Sequence, residues 1–394
     1  MTLPTGENPI SFSQIRTEFG DGTNTSTSPV RLGQYRTTDP SFTNESPGDF
    51  SNLPLDTGIP TSGTINVDSF HGKKLNVIVD YYSGSTELRP DDARAKYQAA
   101  SASGNRAIVG GYKDRVINDS SGSKVIIHVN KTIGSAKDAV TFCAVRTGTG
   151  WESGTDLTIE VGGSGKIFGA GGNGGAGGGK SGSNGNANNG SNGGDGTSAL
   201  GISYSGTVVN LKSGALIRHG YGGGGGGGSS NGTEEAGGED NLFLEHVGSG
   251  GGGGAGLPGG TGGTVSSPDT SSIATSHGTQ GQPGNAGEDA DSIDAGDGGA
   301  AGPDRNFGGE GGYAGGGKGG HGGDFQKSAE NGNPGEAGGG EWQNGPDNGS
   351  GGEAGGNGAA IRKASGVTWT FGTNSGTVTG SGAGGSGESP TGVS

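Results

Sequence analysis

The stretches GAGGNGGAGGGK (residues 169–180) and YGGGGGGGSS (residues 221–230) decide what kind of fold this chain can adopt. Glycine loses more conformational freedom on folding than any other residue. A long run of it is therefore either a flexible linker or part of a lattice that only glycine permits. Ninety-nine of the 394 residues are glycine, too many for linkers alone to explain. Several runs also carry a period of three. Asn173, Ala176, Pro258, Thr261, Lys318, His321 and Ala354 are each followed by two glycines. A helix of the polyproline II type has three residues per turn and no internal hydrogen bonds. One side chain in three then lies along one edge, and the free N–H and C=O groups bond sideways to neighbouring strands. Linkers are poor in the aromatic residues that end these runs, so stacked polyglycine II helices are the expectation.

Hydrophobic residues make up only 26% of the chain, against about 45–50% in globular domains with glycine counted in. Between Gly222 and Ala360 the large apolar residues are too sparse for a conventional core. The core is expected in residues 1–168, 199–221 and 361–379. A net charge of −15 argues against a nucleic-acid partner, which needs clustered Lys and Arg. Nothing approaches the length of a membrane span, so no membrane insertion is expected. The opening MTLPTGENP lacks the basic and apolar stretches of a signal peptide, which suggests synthesis in the cytoplasm without an export signal. Cys143 is the one cysteine, and its apolar surroundings AVTFCAV make it a small core residue.

Residues 1–74 hold a degenerate repeat: Ile10-Ser-Phe12-Ser13-Gln-Ile15, Val30-Arg-Leu32-Gly33-Gln-Tyr35 and Ile65-Asn-Val67-Asp68-Ser-Phe70. The alternation predicts short strand edges, with Ser13 or Asp68 capping a helical turn. Clips that cannot bury themselves dock on a partner, so Ile10, Phe12, Ile15, Val30, Leu32, Tyr35, Ile65, Val67 and Phe70 are the expected docking residues. Residues 75–161 form a β-rich domain, with strands in LNVIVDYY, RAIVGGY, SKVIIHVNK, AVTFCAVR and DLTIEV. A short helix is predicted in RPDDARAKYQAA (89–100), and His128 is placed on a sheet surface.

A second repeat organises residues 162–394. Leu157–Val161 leads through Gly163-Ser-Gly165 to Lys166–Phe168, and Val208–Leu211 through Lys212-Ser-Gly214 to Ala215–Arg218. Val367–Phe371 leads through Asn374-Ser-Gly376 to Thr377–Thr379, and glycine follows in all three units. The Ser-Gly dipeptides suit hairpins or solenoid corners. The fold class expected is mostly β: N-terminal docking clips, a β-rich domain, then a β-hairpin scaffold carrying stacked polyglycine II helices and distal loops.

Motifs of catalysis are weak. Residues 174–181, GGAGGGKS, match the P-loop pattern, but no helix can follow in GSNGNANNG to meet a phosphate. The six histidines are scattered, and no GxSxG elbow is present. No cofactor and no enzymatic activity are expected. GEDADSIDAGDGG, around Glu288–Gly299, could hold one Ca²⁺, although a solvated acidic loop is the favoured reading.

The glycine-rich half resembles the tip adhesins on the long tail fibres of T-even-like bacteriophages. PISFSQIRTEFG and PTSGTINVDSFHGKK resemble short elements of virion proteins of tailed phages, especially those of marine and cyanobacterial hosts. VIIHVNKTIGSAKDAV and the following TGTGWESGTDLTIEVGGSGKIFGAGG resemble glycine-rich tail-fibre proteins. The resemblance implies a virion protein of the tail, fibre or baseplate that binds a host surface protein or glycan through distal loops. Its docking segment would meet a tail-fibre or baseplate protein, as a homotrimer or as a single copy on a trimeric fibre. The interruptions 229–247, 265–283, 303–313, 324–334 and 341–349 would be the recognition loops. Their aromatics Phe243, Phe307, Tyr313, Phe325 and Trp342 are the expected receptor contacts. A purely structural virion protein and an ice-binding protein are the rival expectations.

Overall fold

The computed structural model describes residues 3–6, 8–19, 31–36, 56, 58–74, 76–80, 87–88, 108–109, 124–137, 141–181, 186–235, 241–246, 248–265, 285, 287, 319–324, 328–331, 333, 349–382, 391 and 393. The described chain is mostly β, with one α-helix, α1 (Phe12–Phe19), and short 3₁₀ turns. Its first strands are β1 (Asn76–Asp80), β2 (Glu87–Leu88) and β3 (Ile108–Val109). Next come β4 (Lys124–Val129), β5 (Thr132–Gly134), β6 (Cys143–Arg146), β7 (Asp156–Val161) and β8 (Lys166–Phe168). A hairpin of β9 (Lys180–Ser181) and β10 (Asn186–Ala187) follows, then β11 (Ser198–Ile202), β12 (Thr207–Leu211) and β13 (Leu216–Arg218). A second hairpin joins β14 (Ser230–Glu235) to β15 (Asn241–His246), and the chain closes with β16 (Ile361–Lys363), β17 (Trp369–Asn374) and β18 (Thr377–Thr379).

These strands wind through three sheets. One has the order β17-β12-β7-β4-β1-β3, a second β18-β13-β8-β5-β2, and a third β16-β11-β6. Every pairing in them is parallel except β1 with β3. Each turn of the winding gives one strand to each sheet: β4-β5-β6, then β7-β8-β11, then β12-β13-β16. The two strands of a sequence repeat therefore pair with their equivalents in neighbouring repeats and not with each other. The expected hairpin scaffold is a three-sided solenoid instead, and its Ser-Gly dipeptides are corners.

The interior follows from alternation. In β7, Leu157, Ile159 and Val161 point inward between more exposed neighbours. Parallel register stacks like on like: Ile127 on Ile159 on Val209, and Ile133 on Ile167 on Ile217. Each such side chain is withdrawn fully from water, which stabilises by roughly 1.5–3 kcal/mol apiece. Corners need glycine. A Cβ on Gly165 would fall within 3.0 Å of the Val129 carbonyl and of Val161 Cγ1, and Gly214 has φ of +91°, where an L side chain is strained. The sheets run from β1 to β17, so they cross the division expected at residue 161. His128, expected on a sheet surface, is fully buried.

The N-terminal clips are helical turns rather than strand edges. Ser11, not Ser13, caps α1: its hydroxyl accepts from the Gln14 N–H at 3.2 Å, and Gln14 Oε1 accepts from the Ser11 N–H at 2.7 Å. Asn66, not Asp68, does the same with Ser69 for a 3₁₀ turn at Val67–Phe70. Both are reciprocal capping boxes. The second repeat forms a 3₁₀ turn at Leu32–Tyr35. Equivalent positions have equivalent fates: Ile15, Tyr35 and Phe70 are all fully buried. Phe19 gathers two of them, with its ring 6.5 Å from Tyr35 and 5.4 Å from Phe70. These three docking residues are consumed inside the chain's own core, because the clips supply each other's apolar partners. Ile10, Phe12, Leu32, Ile65 and Val67 are partly buried against that core, and Val30 lies outside the described residues, as does the helix predicted in residues 89–100. Asp56, nearly inaccessible, ties the segment to the solenoid through Lys124 at 2.5 Å.

Candidate functional site

Among the described residues, eight glycine-rich runs, with a further one represented by Asn285 and Gly287, lie where the second sheet hands the chain to the third. The first (169–179) and second (188–197) lie between β8 and β11. The third (219–229) follows β13. The fourth (248–257), fifth (258–265), sixth (319–324), seventh (328–333) and eighth (349–360) lie between β15 and β16. Apart from the Gly256 bridge and the Ala359 bridge to Ser381, their described residues carry no strand or helix assignment. They bond to each other instead, at every third residue.

The third run shows the rule most fully. Gly220, Gly223 and Gly226 donate to the second run, Tyr221, Gly224 and Gly227 to the fourth, and Gly225 and Gly228 to the seventh. Its carbonyls accept from Gly172, Gly175 and Gly178 of the first run. They also accept from Gly320 and Gly323 of the sixth, and from Gly349, Gly352, Gly355 and Gly358 of the eighth. All these bonds span 2.7–3.1 Å. One run thus has six neighbours, and each of its residues from His219 to Ser229 is buried. A Cβ on Gly223 would fall within 3.0 Å of the Asn173 carbonyl, and one on Gly226 within 3.0 Å of the Ala176 carbonyl. Surrounded on every side, this run has to be glycine at consecutive positions.

Runs at the rim have one edge to spare, and the spare edge carries the side chains. In the first run Gly171, Gly174 and Gly177 donate to the fifth, and Gly172, Gly175 and Gly178 to the third. Asn173 and Ala176 fill the remaining edge, while Ala170 is buried where the run meets the solenoid. In the second run that edge is Asn189, Asn192 and Asp195, all exposed. These side chains finish the lattice. Asn189, Asn192 and Asp195 accept, through Oδ1, the N–H groups of Ser350, Glu353 and Gly356 at 2.7–2.9 Å. Asn173 accepts from Thr261, Asn331 from Ala354, and Asn357 from Gly222 at 2.8–3.0 Å. These backbone donors, at the rim and at Gly222 in the enclosed third run, are satisfied by a side chain and not by another run's carbonyl.

Where the runs meet the solenoid, ionisable groups are held in fixed states. Burial lowers the His219 pKa, and its Nδ1 lies 3.0 Å from the Gly220 carbonyl. Its ring sits 4.3 Å from that of Tyr221, whose phenol burial pushes up. Burial raises the Cys143 thiol to about 12, so it is a small apolar group here. Among the described residues no three His, Cys, Asp or Glu side chains are grouped to hold a metal, and no helix is long and apolar enough to cross a membrane. The acidic stretch 288–299 lies outside the described residues. The P-loop-like residues 174–179 are simply part of the first run, leading into β9.

The opposite end of the runs is where the remaining chain departs. The β9–β10 hairpin joins the first run to the second, and β14–β15 joins the third to the fourth. Residues 266–284 follow Val265, just past Thr264, whose carbonyl accepts from Gly177. Residues 334–348 are bracketed by Asn333, bonded to Gly228, and by Gly349, bonded to Ser229. Four of the chain's interruptions therefore start from one end of the lattice. Trp342 belongs to the last of them, and Phe243 has its backbone in β15 opposite Thr233. Gly323, two residues before Phe325, bonds to Gly222 and Ala255, at the end of the lattice next to the solenoid. Within 324–334, the described residues 328–331 and 333 belong to the seventh run. Phe307, Tyr313, Phe325 and Trp342 lie outside the described residues. Comparison of the chain with protein-family models, curated proteins and solved structures finds no match.

Proposed function

We propose that the eight runs are polyglycine II helices packed into a slab, and that the slab is the rigid base of a non-enzymatic receptor-binding adhesin on the virion of a tailed phage. Three-residue periodicity of lateral bonding, with six neighbours around the third run, supports the helix assignment, since this backbone has no internal hydrogen bonds to compete. The observation that carries the function is directional. Segments 182–185, 236–240, 266–284 and 334–348 all start from the end of the slab away from the solenoid. A receptor binder needs variable segments on a rigid base, and a laterally bonded slab is rigid without a large apolar core. Aromatic side chains such as Phe243 and Trp342 would anchor a host surface protein or glycan. The partly buried Ile10, Phe12, Leu32, Ile65 and Val67 are what the N-terminal segment offers to a fibre or baseplate protein. The test is whether the purified chain binds host cells and blocks phage adsorption. A chain that does neither, yet is found in virions, has a structural role there instead.

A further inference from the structure

Asn173-Gly174, Asn189-Gly190, Asn192-Gly193 and Asn357-Gly358 are Asn–Gly steps within the runs. Their four asparagines are all exposed. Asparagine is thermolabile, and most so before glycine, where no side chain shields the following backbone nitrogen. That nitrogen attacks the side-chain Cγ, a new C–N bond closes a succinimide ring, and the bond from Cγ to the side-chain nitrogen breaks. Ammonia leaves with the proton of the attacking N–H. Water then opens the ring to aspartate, or to isoaspartate, in which the main chain runs on through the side chain. An Asn–Gly step on an open linker meets no obstacle to this reaction.

In the lattice both reacting groups are already engaged, three times out of four by a single residue of the next run. The Gly190 N–H donates to the Ser350 carbonyl at 2.8 Å, while Asn189 Oδ1 accepts from the Ser350 N–H at 2.8 Å. Glu353 holds Gly193 and Asn192 in the same way at 2.8 and 2.9 Å. Thr261 holds Gly174 and Asn173 at 2.8 and 3.0 Å. At the fourth step Gly358 donates to Gly220 at 2.9 Å, and Asn357 Oδ1 accepts from Gly222 at 3.0 Å. Ring closure would remove the glycine's donor and swing the side-chain amide off its own partner. One rim position already carries the hydrolysed side chain. Asp195 Oδ1 accepts from the Gly356 N–H at 2.7 Å, and Gly196 donates to the Gly356 carbonyl at 2.9 Å.

We propose that Asn173, Asn189, Asn192 and Asn357 are deamidation sites locked by the folded lattice, and that they convert only when a run separates from its neighbour. The two products differ in consequence. Aspartate keeps the Oδ1 acceptor and the three-residue period, as at Asp195, so the runs close around it again. Isoaspartate adds a methylene to the main chain and puts every later glycine of its run out of step with its partners. Opening of the lattice is thereby recorded in the chain as a covalent change. The inference rests on the bonds between runs and not on what the chain recognises.

Peptide mass mapping of the full chain, held at mildly alkaline pH either folded or in urea, tests this. In urea the four asparagines should deamidate at similar rates. In the folded chain each should react more slowly by roughly tenfold or more, because reaction then waits on local opening. Exclusion of water cannot produce that slowing, since all four side chains are exposed. Gly175→Ala, whose Cβ would press on the Ser191 carbonyl of the second run, should raise the folded-state rates at Asn189 and Asn192. Asn189→Asp should melt like wild type, a readout that needs no destabilised variant. Equal rates in the folded chain and in urea, folded-state rates unmoved by Gly175→Ala, or a marked fall in melting temperature for Asn189→Asp would each overturn the proposal.

Discussion

Substituting Gly175 tests whether the lattice is as tight as its hydrogen bonds imply. A Cβ there would fall within 3.0 Å of both the Ser191 carbonyl oxygen and the Gly226 nitrogen. Those two atoms are themselves bonded to each other at 2.9 Å, so the added carbon sits on top of an existing N–H···O=C bond. No flexible side chain is involved, and relief requires moving one run away from another. Loss of that bond costs about 0.5–1.5 kcal/mol, and overpacking a close-packed interior adds about 1–3 kcal/mol. Gly175→Ala should therefore destabilise by roughly 2–4 kcal/mol, and Gly175→Val by more. Gly356 is the control. A Cβ there meets only Asp195 Oδ1, at 3.4 Å, and the residue is exposed. Gly356→Ala should be neutral or stabilise by up to about 1 kcal/mol, through reduced freedom of the unfolded chain. Thermal and denaturant melts of the two alanine variants give the comparison directly. Equal stability of both would mean that the runs are loosely associated, and the lattice argument would fail.

Three further outcomes are expected. Trp342→Ala and Phe243→Ala should reduce attachment to host cells with melting nearly unchanged; a lowered melt instead would make these rings structural plugs of the slab. Buried His219 is held neutral in the fold, while the unfolded chain takes up a proton as pH falls below about 6.5. Its contribution is thus fully present above that value and is lost as pH drops toward its lowered folded pKa. Between about pH 7 and pH 5 wild type should therefore lose more melting temperature than His219→Gln, and identical slopes would refute the assignment. Finally, Asn192→Ala should speed amide exchange at Glu353, whose N–H loses its 2.9 Å acceptor, while the interior bond from Gly223 to Gly194 stays protected.

How much of this was legible in sequence depends on the element. A strand with clean alternation, such as LTIEV, is plain because the period of two directly marks the buried face, whereas in KVIIHV the same period puts His128 on the surface and the structure buries it. On the third side of the solenoid only β6, within AVTFCAVR, was plain. β11 and β16 follow the glycine runs after only Thr197 and Ala359-Ala360, and their interiors of Ala199, Leu200 and Ile361 lack any alternating signature. Ser-Gly corners were read correctly as turns, but the dipeptide serves a hairpin and a solenoid corner equally well. What separates the two is whether a strand pairs with its own turn-mate or with its counterpart one repeat later, and pairing is a tertiary fact. The clips misled for a different reason. Ile10-Ser-Phe12 alternates like a strand, yet Ser11 with Gln14 and Asn66 with Ser69 form capping boxes, and three residues between the capping partners is a helical signal. Repetition suggested an outside partner, whereas three copies within one chain suffice to bury Ile15, Tyr35 and Phe70 together.

The composition of each glycine run now has a physical reason. A run's neighbours fix how many of its three edges must be bare. The third run meets neighbours on every edge, and Gly222 to Gly228 are seven glycines without interruption. The first run has one edge free over part of its length and carries Asn173 and Ala176 there, while Ala170 is buried where the run meets the solenoid. The second run, at the rim, turns Asn189, Asn192 and Asp195 outward, and their side-chain oxygens take up the donors that a missing run would have bonded. Asparagine at every third position thus marks where the lattice stops, just as unbroken glycine marks its centre. That correspondence is what a flexible linker cannot explain. A linker has no inside, so nothing would distinguish residues 222–228 from residues 189–195, and the spacing of asparagine would have no partner to satisfy. Because the same side chains that end the lattice also use up its edge donors, the slab is closed to further runs along that rim.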